Sequence, residues 1–135
     1  MPALHWYDYA IVRVVPRPDR EEFLNVGVIV SCMSAKYLEA RIVLDESRLL
    51  SLEPAADVHM VRSHLNAIVR ICCGGEDAGP IGKLSQRERF HWLVAPRSAI
   101  IQTSAAHSGR CADPDTALEH LVATMVPGKS TARTG

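Results

Sequence analysis

Four cationic side chains, Lys83, Arg87, Arg89 and Arg97, fall within fifteen residues and are offset only by Glu88. Guanidinium groups grip carboxylate or phosphate bidentately, so the run is a candidate anion site. Helical spacing puts Arg87 and Arg89 on different faces, and Arg97, after Pro96 and before a strand, is the first choice. The competing reading is that one arginine pairs with Glu88 or Glu22 and the others are solvated surface charge. His107, followed by Ser108-Gly109, is placed in a loop before a helix N-terminus near Asp113, where it could serve as a general base or an anion donor. Its competing reading is a loop histidine bonded to backbone. Asn25 and Gly27 lie on the off-face of the second strand and could line a groove that Gln102 also faces; the alternative there is backbone capping and a bulge. His107 and Cys111, four apart, could form half a metal site with Cys72, Cys73 or His91. Zinc usually takes its ligands from paired short spacings, and only one such pair exists, so neither a metal nor a cofactor is expected.

The elements that must position these residues follow from periodicity. Residues 7–15 are rich in β-branched and aromatic types and end at Pro16, which predicts a strand. A second strand over 25–32 puts Val26, Val28 and Val30 on one face, with Gly27 marking a bulge or a close approach. A third has Leu38, Ala40 and Ile42 inward. The connections are too short for helical crossovers, so the strands form an antiparallel meander. Asp45 caps a short helical turn over 45–52, and a longer helix over 55–73 carries the stripe Val58, Val61, Leu65, Ile68, Val69 and Cys72 before Gly74-Gly75. Ser85 and Glu88 form a capping box for a helix through Trp92. Residues 99–103 are a fourth strand, and Asp113-Pro114 opens the last helix, with the stripe Ala117, Leu118, Leu121, Val122 and Met125. The expected fold is α+β, an antiparallel sheet of about four strands with helices packed on one face. Residues 1–126 form a single domain and 127–135 a disordered tail.

Composition narrows the class. The 135 residues are 47% hydrophobic and 22% charged, ordinary for a globular chain rather than a disordered one. A formal net charge of +0 supplies no bulk field for nucleic acid or an anionic membrane, which argues against both. No apolar run reaches the roughly 20 residues that span a bilayer, and the start lacks the pattern of a signal peptide. The four cysteines form neither a disulfide framework nor a CxxC pair. A cytoplasmic address is expected. No P-loop, GxSxG or HExxH motif is present, so familiar enzyme classes lack their hardware.

Two stretches carry a resemblance. The run Glu22-Phe23-Leu24-Asn25-Val26-Gly27-Val28-Ile29 is followed by Gly79-Pro80-Ile81-Gly82-Lys83-Leu84, by residues 88–98, by Ile100-Ile101-Gln102, and by residues 107–114. Together they resemble the bacterial domain of unknown function 3037 family over about residues 7–121, departing from its pattern at Ser104-Ala105-Ala106, where a proline is expected. The family has no assigned activity, and the resemblance implies a small stand-alone protein, often encoded beside a HipA-like kinase. The expected function is therefore a non-catalytic interaction or regulatory module that binds a protein partner such as a HipA-like kinase. Arg89, Arg97, Gln102, His107 and Asn25 would make the contacts, with Gly82 and Gly109 shaping the loops. The alternative is an enzyme acting on an anionic small molecule, with Arg97 and Arg89 as clamps and His107 as acid/base.

Overall fold

The computed structural model describes residues 3–96 and 99–127. Its strands are β1 (His5–Val14), β2 (Leu24–Cys32), β3 (Tyr37–Ile42), β4 (Ile101–Thr103) and β5 (His107–Cys111). Its α-helices are α1 (Glu46–Leu52), α2 (Val58–Cys73), α3 (Gln86–Val94) and α4 (Pro114–Met125), with short 3₁₀ segments at Pro18–Arg20 and Glu76–Lys83. All strand pairings are antiparallel, in the order β3-β2-β1-β4, and β5 pairs with β1 as well. The fold is α+β, as expected, with a fifth strand added. The tail expected to be disordered, 127–135, lies outside the described residues but for Pro127.

β1 is the spine. One edge pairs with β2 over Asp8–Val14, while the other is shared, His5–Tyr9 with β5 and Val12–Val14 with β4. Between the two short strands the ladder is closed by Ser104. Its N–H donates to the Ile11 carbonyl at 2.9 Å, and its buried hydroxyl accepts the Ile11 N–H, also at 2.9 Å. The side chain thus does the work of a missing strand residue and leaves neither the N–H nor the carbonyl of Ile11 orphaned.

Opposite that edge, Val12 pairs with Gly27 and Arg13 with Asn25, so Val26 is an extra residue in β2. Such a bulge resets the two-residue alternation. Val26 therefore packs with Leu24 and Ile29, whereas Val28 and Val30 point to the other side, which corrects the expectation that the three valines share a face. Gly27 is the close approach anticipated for it: a Cβ there would lie 2.6 Å from Ile42 Cδ1 and 2.7 Å from the Arg41 carbonyl oxygen.

The first core joins Val12, Val14 and Ile29 to Leu49, Val61, Leu65, Phe90 and Leu93, so α1, α2 and α3 cover one face. The second joins Ile11, Val28 and Val30 to Leu118, Leu121 and Val126. The last helix, α4, thus lies on the opposite face, which corrects the expectation that the helices pack on one face only. The run Val26-Gly27-Val28-Ile29-Val30, buried throughout, demands it, because a strand apolar on both sides must be covered on both. Asp45, Asp57, Ser85 and Asp113 each accept backbone N–H bonds at the helix starts, and Ser85–Glu88 forms the full capping box. Among the described residues, no helix is long and apolar enough to cross a membrane.

Replacing Ser104 by alanine should strand the Ile11 N–H and cost roughly 1–3 kcal/mol of stability. Urea denaturation checks this, and an unchanged midpoint would contradict the assigned role.

Candidate functional site

Arg89 is drawn inward by the end of a neighbouring helix. Its Nη1 donates to the carbonyls of Ile71 (2.8 Å) and Cys72 (2.6 Å), and its Nε donates to the Leu84 carbonyl at 3.1 Å. The guanidinium thereby neutralises the negative C-terminal end of α2 and fastens α3 to it. Gly74, with φ of 77°, lets the chain turn there, and the Arg89 Cζ lies 3.2 Å from where its Cβ would be. Gly82 is buried beside it, and any side chain would press into the Gly75 carbonyl oxygen and the Ala78 methyl. That gives its loop-shaping role a steric reason. Next to this latch, burial raises the Cys72 thiol to about 12, with Cys73 adding to the effect and Arg89 opposing it. Cys72 is thus an inert, protonated core residue.

Asn25 and Gln102 stand in one row across the sheet, either side of Arg13, since Arg13 pairs with Asn25 on β2 and with Gln102 on β4. Cross-strand partners share a face. The Asn25 amide donates to the Met125 carbonyl at 2.9 Å, tying β2 to the end of α4, and the Gln102 amide donates to the Ala99 carbonyl at 2.8 Å. Arg13 lies over the Phe23 ring at 4.4 Å, and no acid pairs with it among the described residues. Sequence reasoning missed it because an arginine in an alternating strand reads as a solvent-facing charge.

His107 is in β5, not in the loop expected for it. The N-terminal half of β1 has no other partner on that edge, so the segment is recruited as a strand although His107-Ser108-Gly109-Arg110-Cys111 contains no β-branched residue. The imidazole is exposed, 5.4 Å from the Tyr9 ring across the ladder. Gly109 is likewise a strand residue, and a Cβ there would lie 2.8 Å from Tyr7 Oη. His107 and Cys111 occupy opposite ends of β5, about 13 Å apart at the usual strand rise. Burial first, then Cys32 and Asp113, raise the Cys111 thiol above its ordinary value, which disfavours the thiolate. The described residues hold no group of three or more His, Cys, Asp or Glu side chains placed to share a metal ion.

His107 pairs with Tyr9, on the α4 side of the sheet, whereas Arg89 lies among the helices of the other side. The structure does not bring the two together. Arg97, the first choice among the cations, lies outside the described residues. What the fold does assemble is a cleft of about 360 Å³ between α2, α3 and β4. Met60, His64, Ala67, Ile68, Trp92 and Ile101 line it, and Gln102 is at its border. The α2 stripe was legible as core, but part of it, at Ile68, faces this opening because β4 is only three residues long.

A family model described as protein of unknown function (DUF3037) matches residues 9–126. The chain belongs to that family. No curated protein and no solved structure matches it. The family match spans the whole sheet except the first four residues of β1, together with all four helices, and so includes both the Arg89 latch and the cleft.

In this DUF3037 protein, Arg89→Gln should cost roughly 1.5–3 kcal/mol, since it removes charge-assisted bonds to helix-end carbonyls. Thermal or urea unfolding measures the loss; full stability in the variant would show that the latch contributes nothing.

Proposed function

We propose that this DUF3037 protein is a non-catalytic interaction module that binds a protein partner through the cleft between α2, α3 and β4. A HipA-like kinase is the first candidate partner. The observation that carries the reading is the character of the cleft: open, mostly apolar, and contributed by two helices and a short strand. Binding surfaces combine an apolar centre with a few polar groups at the border, here His64 and Thr103. The partner would insert apolar side chains there, with His64 and Thr103 available for orientation.

The alternative, an enzyme acting on an anionic small molecule, has less support. Arg89 already spends its Nε and Nη1 donors on backbone carbonyls, and neither it nor His107 is among the residues that line the cleft. General acid/base chemistry needs its proton donor within hydrogen-bonding reach of the bound substrate.

Ala67 is half-buried on the cleft side of α2, so Ala67→Glu places a carboxylate in the opening without removing core volume. In co-purification from native cells, the wild-type protein should retain a stoichiometric partner, and the variant should lose it while keeping its circular dichroism spectrum. A partner retained in full by the variant, or no partner for either protein, would overturn the proposal.

A further inference from the structure

The outer edge of β5 is an open edge of the sheet. β5 pairs with β1 on one side, and among the described residues no second strand flanks it. A free strand edge offers a row of N–H and C=O groups to another strand. The side chains around this edge carry complementary charge. Arg110 stands opposite Trp6, its guanidinium 5.0 Å over an indole that is 66% exposed. Two residues along, Ser108 stands opposite Asp8 and donates to its Oδ1 at 2.7 Å. Both rows lie on one face, because alternate residues of a strand do. Neither Arg110 nor Asp8 has an ion pair among the described residues. Gly109 lies between the two rows, with Tyr7 filling the space on the other face.

We infer that β5 pairs antiparallel with β5 of a second copy, about a two-fold axis at Gly109, to make one continuous sheet across a homodimer. The register follows from the symmetry. Gly109 meets the partner copy's Gly109, so no side chain crowds the axis, and Arg110 stands opposite the partner copy's Ser108. The carboxylate of Asp8 is already drawn to Ser108 within each copy, which brings it within reach of the incoming Arg110 side chain. The two-fold axis makes this contact twice, as an isologous interface must. Each guanidinium would swing from its own Trp6 ring to the other copy's carboxylate, since ring and carboxylate lie on opposite sides of it across the joined sheet. Reversing the charge at either position sets like charges together at two sites and should weaken association about tenfold or more. The second copy satisfies the edge at no conformational cost to the sheet, since β5 is already extended.

Sedimentation velocity of the purified full chain over a dilution series tests this. The wild-type protein should be a dimer that dissociates on dilution. Arg110→Asp and Asp8→Arg should each shift the equilibrium toward monomer, and the double charge exchange should restore the dimer. Both positions are exposed, so unchanged circular dichroism will establish that each variant is folded. A wild-type protein that is monomeric throughout, a dimer indifferent to both single changes, or a double exchange that fails to restore association would overturn the inference.

Discussion

The outer edge of β1 is longer than either strand that pairs with it, and the two hydrogen bonds between Ser104 and Ile11 are what let two strands share it. Without that junction, the middle of β1 would expose a buried donor and acceptor. With it, the chain leaves β4, crosses the gap in a single residue of ladder, and re-enters the sheet after Ala106 as β5. Both surfaces of interest depend on this arrangement. β4 ends soon enough to leave a cleft beneath α2 and α3, and β5 starts late enough to present a new edge beside Trp6.

The cationic groups fall into distinct physical states that the sequence alone does not separate. Arg89 is a structural cation held by three carbonyls at the end of α2 and the start of α3. Arg41 pairs with Asp115 and Glu119, bracing β3 against α4. Among the described residues, Arg110 is held by the face of an exposed indole and by no ion pair. A guanidinium whose donors hold helix-end carbonyls has fewer left for a partner, as at Arg89, whereas Arg110 at the β5 edge donates to no acceptor among the described residues.

Much of the fold was legible in the sequence. Helix starts announce themselves through Asp45, Ser85–Glu88 and Asp113-Pro114, because capping is a local interaction between residues two or three apart. Gly27 could be read as a bulge or a close approach, yet the inversion of faces it accompanies could not, since that depends on which β1 residue pairs with it. β5 was invisible because its strand character comes from the unpaired half of β1 rather than from its own residues. Of the site residues, Asn25 and Gln102 stand in one row centred on Arg13. The separation of Arg89 from His107 and the opening beside Ile68 are products of tertiary packing, so no local pattern encodes them.

The proposed function has a protein partner dock in the cleft between α2, α3 and β4. Site-specific photocrosslinking in native cells tests it most directly, with the photoreactive side chain at His64 inside the cleft and, as control, at Lys36 in the exposed β2–β3 turn. A single heterologous protein joined from position 64 and absent from position 36 is the expected result. No adduct from position 64, or the same adducts from both positions, would contradict the account.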